Sequence, residues 1–156
     1  MKDNIDFIYE IKINNNLKIQ KYFYKILKLV KSKLSVSNKL SLSVNFISDD
    51  KSIYLNKTYR NKDYIGDVLS FPIDDEYNIY SQLKFREIGD IFIAPDEAYR
   101  KTLKNKNDVF TEFCWLFLHG LLHILGLDHE IDEEAKEMFE LTDNILNKIN
   151  LKYKYI

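Results

Sequence analysis

The chain is poor in the residues that punctuate or staple small proteins: one cysteine, two prolines and four glycines in 156 residues. A single thiol, Cys114, excludes an intrachain disulfide framework. The charged start Met1-Lys2-Asp3 leads into no apolar run long enough for a signal peptide or a membrane span, so the expected location is the cytoplasm, with no membrane partner. No repeat, low-complexity tract or Pro/Gly/Ser linker divides the chain, and residues 1–156 are expected to form a single domain. Net charge is also nearly absent, at −1, and suggests no nucleic-acid partner by itself. What is present is globular in character: 46% hydrophobic, 30% charged and 14% aromatic residues, unlike the profile of a disordered chain. A chain of this length buries roughly 70% of the surface it exposes when unfolded, so no staple is needed.

The small net charge hides an uneven distribution. Residues 1–110 carry 19 Lys/Arg against 15 Asp/Glu, and residues 111–156 carry 4 against 9. In the basic part Lys18, Lys21, Lys25 and Lys28 recur at helical steps and are continued by Lys31 and Lys33. Such a stripe suits either a solvated helix face opposite Leu17, Phe23, Ile26, Leu27 and Val30, or contact with phosphates.

Periodicity predicts a strand over 5–13 and a helix over 16–34, with Asn14, Asn15 and Asn16 as capping candidates. The alternation in Leu40–Phe46 predicts a half-buried strand. Ser48-Asp49-Asp50 opens a short helix to about Tyr59, and Val68–Pro72 reads as an edge strand or strand end because of its proline. Residues 73–87 are polar and read as loop, followed by a strand over Ile88–Ala94 and a helix opened by Pro95-Asp96-Glu97. A nearly all-apolar helix from about Asp108 to Leu125 should be the buried central one, and an amphipathic helix closes the chain over about 131–149. Strands and helices that do not strictly alternate indicate an α+β fold, a small mixed sheet packed against helices.

The three histidines of the chain all fall in His119-Gly120-Leu121-Leu122-His123-Ile124-Leu125-Gly126-Leu127-Asp128-His129. Two histidines four apart share one helix face, and a glycine just past the last turn can reverse the chain and return the third. Three imidazoles fit one Zn2+ per chain, with a fourth position left to water whose pKa the ion lowers towards about 7. Each histidine could instead be a satisfied core or surface residue, but number and spacing favour a metal. Cys114 lies about 140° round the helix from His119 and reads as buried and apolar rather than as a ligand. In the zinc peptidase pattern HExxH the residue after the first histidine is a glutamate serving as general base; Gly120 stands there instead, which weakens a metallopeptidase reading. Gly120 provides either room for a substrate or close helix packing.

This segment closely resembles the signature of the YbeY family, bacterial rRNA maturation factors described as single-strand-specific, zinc-dependent endoribonucleases. Leu55-Asn56, Tyr59-Arg60, Lys62-Asp63 and Asp67-Val68-Leu69-Ser70-Phe71-Pro72 resemble a second block of that family, and Gly89-Asp90-Ile91 a third. Ile65-Gly66 departs from the Pro-Thr usual before the Asp-Val-Leu-Ser-Phe-Pro run, with consequences for loop shape and for a substrate-contacting hydroxyl.

The resemblance implies an α+β fold of zincin-like arrangement, zinc on His119, His123 and His129, and action on single-stranded ribosomal RNA. The implied process is 3′-end maturation of small-subunit (16S) rRNA and ribosome quality control, with the ribosome or small-subunit assembly proteins as partners. His119 and Arg60 are the implied catalytic residues. A guanidinium beside zinc offers planar donors where charge builds on a phosphodiester, whereas a surface pair with Asp63 or Asp67 is the plainer alternative. Asp67 and Asp128 either orient a histidine's second nitrogen or cap local turns. Ser70 and Phe71 are candidates to line the cleft, Phe71 either stacking a base or sitting in the core. The nucleophile is water or a ribose hydroxyl, and no general base is evident beyond Asp128. The alternative from another class is a non-catalytic ribosome-assembly factor with structural zinc.

Overall fold

The computed structural model describes residues 2–73 and 83–155. Among these residues four strands and five helices follow one another as β1 (Asn4–Tyr9), α1 (Asn16–Lys33), β2 (Lys39–Phe46), α2 (Asp49–Arg60), β3 (Val68–Pro72), β4 (Phe85–Ile93), α3 (Pro95–Asn105), α4 (Val109–Ile124) and α5 (Asp132–Lys148). The strands form one mixed sheet in the order β1-β2-β4-β3, with β1, β2 and β4 parallel and β3 antiparallel to β4. This is the α+β arrangement read from the sequence, and β3 is an edge strand, where Pro72 costs no interior ladder bond. No helix among the described residues is long and apolar enough to cross a membrane.

The elements differ from the periodicity reading in ways that pairing explains. β1 stops at Tyr9 because its partner β2 stops at Phe46; Glu10 N donates to Phe46 O at 2.9 Å, and Ile13 is buried without belonging to a strand. β4 begins at Phe85, three residues before the expected Ile88, in register with Lys39. The alternation there is hidden by a bulge: Ser41 pairs with Glu87 but Leu42 with Gly89, leaving Ile88 as the extra residue. The expected loop over 73–87 is therefore strand from Phe85, and its stretch 74–82 lies outside the described residues. β2 lies inside the sheet, and its Ser41 and Asn45 are buried although polar. Asn45 compensates by donating to Ile91 O at 3.2 Å and Ser43 Oγ at 2.8 Å. Asn15 does precede α1, but in a left-handed conformation and without a side-chain cap, and Leu17 is 78% exposed, not part of the apolar face. Ser48 and Asp108 do cap α2 and α4, each side chain accepting the amide three residues on, Lys51 N and Thr111 N.

The main core lies on one face of the sheet, where α1 and α4 pack over Leu40, Leu42, Val44, Phe46, Ile91 and Ile93. Phe23 of α1 stacks on Phe117 of α4 with ring centroids 4.2 Å apart; each such buried side chain contributes about 1.5–3 kcal/mol. α4 also contacts α3, α5, β3 and β4, and nearly all its residues are buried. A smaller cluster on the opposite face joins Ile47, Leu55 and Leu69, with Phe71 and Phe92 packed against it. The C-terminal segment is fixed to α4 by a buried knot: Asn105 Nδ2 and Tyr153 Oη both donate to Glu112 Oε1, at 3.0 and 3.2 Å.

Gly89 bears on how β3 is held. It has φ +141°, and a Cβ there would fall on the carbonyl oxygen of Phe71, in backbone that cannot swing aside. Gly89→Ala should lower unfolding stability by about 3 kcal/mol or more, combining strained backbone with a steric clash. Urea melts followed by circular dichroism check this, and a midpoint equal to the unsubstituted protein's would contradict it.

Candidate metal centre

His119 and His123 stand one turn apart near the C-terminal end of α4. The helix then closes in a Schellman turn, with Gly126 N donating to His123 O and Leu127 N to Leu122 O, both at 3.0 Å. Gly126 takes φ +101°, a conformation that glycine adopts without the penalty of a Cβ. The reversed chain brings His129 back to the helix, and the three ring centroids lie 4.6, 5.4 and 4.9 Å apart. One nitrogen from each ring falls within 4.8 Å of the others. Nε2 of His119 and Nε2 of His123 face each other at 3.1 Å. Tetrahedral ligands at roughly 2.0–2.1 Å from zinc have nitrogens about 3.3 Å apart, so this pair suits a shared ion.

Burial, reinforced by His123, His129 and Lys101, lowers the His119 pKa to about 3. Burial likewise lowers that of His123, with His129 adding and Asp128 opposing. Both imidazoles are therefore neutral at physiological pH and keep the lone pairs a metal requires. The helix end adds a favourable field, since its unsatisfied carbonyls carry partial negative charge. The donor set thus fits one divalent ion such as zinc.

The rings form one wall of an open cleft of about 590 Å³. Arg60, at the C-terminal end of α2, lines it and is exposed. Its Nη1 donates to the neutral Asn56 Oδ1 at 3.3 Å, and among the described residues no carboxylate pairs with it. The ion pair with Asp63 or Asp67 considered from the sequence is not formed. Asp67 instead accepts from Lys101 Nζ at 3.0 Å and from Val68 N at 2.8 Å. Asp128 accepts from His129 N at 2.7 Å. Both aspartates line the cleft, but neither hydrogen bonds to a histidine ring among the described residues, and His119 Nδ1 is buried without a partner. Each accepts the amide of the next residue, and Asp67 also holds the ion pair with Lys101.

Ser70 lines the cleft and donates to Gly120 O at 3.1 Å. Phe71 does not. Successive strand residues point to opposite faces, so Val68, Ser70 and Pro72 face the cleft while Phe71 turns to the smaller cluster. There it meets Tyr59 and Phe92 edge-on, at 5.5 and 5.6 Å. Gly120 serves packing: a Cβ at that position would lie 3.0–3.3 Å from Ser70, Val68 and Ile91. Cys114 is buried and burial raises its thiol pKa, as suits an apolar role.

Among the cleft residues that escaped the sequence reading are Trp115, Lys101 and Glu130. Trp115 stacks on His119, centroids 4.7 Å apart and planes 13° apart, and Tyr153 stacks on Trp115 at 4.8 Å. Its position four residues before His119 on the same helix face was the available signal. Lys101 comes from α3 and lies over the Trp115 ring at 4.6 Å; no local pattern links it to the histidines. Of the basic stripe on α1, Lys18 lies over the Phe110 ring at 4.2 Å, Lys25 over Tyr22 at 4.7 Å, and Lys31 pairs with Asp3 at 2.7 Å. Half of that stripe is thus engaged within the fold.

Comparison with known proteins agrees over nearly the whole chain. A curated Mycoplasma mycoides protein named endoribonuclease YbeY is 42% identical over 134 residues, covering 86% of this chain and 82% of that protein. Proteins of the same name from Mycoplasma capricolum and Mesoplasma florum are 40% and 39% identical, covering 96% and 97% of this chain and 90% and 91% of theirs. A Thermotoga maritima protein solved in solution shares the fold, with a TM-score of 0.57 at 21% identity over 96% of this chain and 91% of that one. The sequence pattern of the family, endoribonuclease YbeY, matches residues 5–150, a span holding all three histidines and Arg60, and the chain belongs to that family.

Proposed function

We propose that the protein is a metal-dependent, single-strand-specific endoribonuclease acting on ribosomal RNA, with one Zn2+ per chain on His119, His123 and His129. The observation that carries this reading is three converging imidazoles beside a guanidinium that no carboxylate among the described residues pairs with, in an open cleft, in a chain of this family. Zinc held there supplies a Lewis acid that polarises a phosphoryl oxygen and raises the acidity of a coordinated hydroxyl or water. The polypeptide supplies the rest. Arg60, anchored by Asn56, presents planar donors to the phosphodiester oxygens as charge builds on them. Trp115 holds the plane of His119, whose Nδ1 has no hydrogen-bonding orienter among the described residues. Lys101, already paired with Asp67, adds a half-buried cation at the cleft wall. We further propose a cytoplasmic role in 3′-end maturation of 16S rRNA and in ribosome quality control, performed by residues 1–156 as one domain with ribosomal or small-subunit assembly proteins as partners.

Trp115 is the sole tryptophan, and it touches a ligand histidine. Zinc titration of chelator-stripped protein should change its fluorescence with a stoichiometry of one. His123→Ala should weaken zinc binding by at least about 100-fold, a lower bound matching losses seen on mutating mere outer-shell partners. An unchanged zinc affinity in that variant would place the metal elsewhere.

Defined single-stranded RNA should be cleaved by zinc-loaded protein and left intact after chelation. Arg60→Ala should retain zinc and fold yet lose roughly 10²–10³-fold in kcat, the range for removing one charge-stabilising donor. Analysis of product ends separates the nucleophiles, because attack by the ribose hydroxyl leaves a 2′,3′-cyclic phosphate and attack by water does not. Zinc and RNA binding with no cleavage by the unsubstituted protein would favour an assembly factor with structural zinc.

A further inference from the structure

A second depression opens next to the histidine cleft, between the 61–67 connection and α3. Its volume is about 650 Å³, within the range of roughly 300–1,000 Å³ that accommodates small ligands. Arg60, Asp67, Val68 and Lys101 line both depressions, so the two lie side by side with the Lys101–Asp67 pair at their boundary.

The lining of this second part has a definite chemistry. It carries four cations, Arg60, Arg100, Lys101 and Lys104, and two carboxylates, Asp67 and Glu97. Arg100 is satisfied by Asp49 at 2.8 Å and Glu97 at 3.1 Å, and Lys101 by Asp67. Arg60 and Lys104 are left without a carboxylate among the described residues. Beside these cations two large apolar side chains are turned outward, Tyr64 at 55% and Leu103 at 72% exposure. Spaced cations alternating with exposed apolar faces suit a polymer of anionic links and flat, unstacked rings. A duplex offers its phosphates to such a surface but keeps its bases stacked inside; a single strand offers both.

We infer that this groove binds the nucleotides flanking the cut on one side of the RNA. A phosphate crosses the junction between Arg60 and Lys101, the next meets Lys104, and the base between them lies on Tyr64 and Leu103. The assignment rests on the endoribonuclease reading and adds a source for its single-strand preference, separate from the metal centre.

Lys104→Gln and Tyr64→Ala test it, since both side chains are exposed and neither takes part in a hydrogen bond or ring contact among the described residues. With zinc-loaded protein, the double variant should raise KM for a single-stranded RNA roughly tenfold, as expected for one lost stacked base and one phosphate contact, with kcat changed by less than about twofold. The rise should vanish on an RNA shortened on one side of the cut and persist on an RNA shortened on the other. In equilibrium binding to the same RNA carrying a non-hydrolysable linkage, Lys104→Gln should reduce the slope of log affinity against log salt by about 0.7. Unchanged KM and slope on the full-length RNA, or a KM rise that survives both truncations, would overturn the groove assignment while leaving the centre's activity in place. If the unsubstituted protein cleaves nothing, the reading of the centre fails, and the salt slope still decides whether the groove binds RNA.

Discussion

Everything at the centre depends on how closely α4 lies against the sheet at Gly120. A Cβ there would lie 3.0–3.3 Å from side-chain atoms of Ser70, Val68 and Ile91, tighter than ordinary contact, so a glycine lets the helix rest on β3 and β4 without displacing them. The same contact lets Ser70 donate to the Gly120 carbonyl, tying the edge strand to the helix that carries two of the three ligands. A helix surrounded by α1, α3, α5 and two strands has little freedom to rotate, and its last turn is therefore a fixed platform. The ligands sit at the helix end whose carbonyls favour a cation, so packing and electrostatics act in the same direction.

The histidine triad was legible in the sequence because its geometry is local. Helical spacing aligns His119 with His123, and Gly126 supplies the reversal for His129. The parts of the site that depend on tertiary contact were not legible in the same way. Lys101 reaches the cleft from a separate helix, and Asp67 bonds to that lysine, whereas its own sequence neighbourhood suggested Arg60 as the partner. Phe71 is a different case. Ser70 and Phe71 are consecutive in a strand, so they could not both face the cleft, and the twofold period already contained that answer. The start of β4 was hidden for a further reason: the bulge at Ile88 interrupts alternation just where the strand enters the sheet.

The cleft holds its polar groups in unequal states of compensation. Asp67 and Lys101 neutralise each other, Asp128 accepts from the next amide, and in the neighbouring depression Arg100 has two carboxylates. Arg60 has a neutral partner and, among the described residues, no carboxylate, so its position is fixed without using its charge. A guanidinium paired with a carboxylate would have to give up that partner to receive a phosphate; among the described residues Arg60 has none to give up. Aromatic stacking does comparable work on the other wall, where Tyr153 and Trp115 support His119 from its face and leave its edge free.

The connection from α2 to β3 explains how the Ile65-Gly66 departure is tolerated. Asn56 is fully buried and ties the connection: its Nδ2 donates to Tyr64 O at 3.0 Å, its Oδ1 accepts from Arg60, and its backbone O accepts from Asn61 N and from Lys62 N, the latter at 3.1 Å. Ser52, also fully buried, donates its hydroxyl to Gly66 O at 2.7 Å and accepts from Gly66 N at 3.0 Å. A residue without a side chain is thus held by its own main chain, and loop shape is set by two polar residues of α2 rather than by the residues at the departure. Leaving such buried groups unpaired costs about 1–3 kcal/mol each, so the connection is ordered by necessity. Because this one segment carries Arg60 at its start, Tyr64 in its middle and Asp67 at its end, the shape of the groove and the position of the charge-stabilising arginine are fixed by the same few bonds.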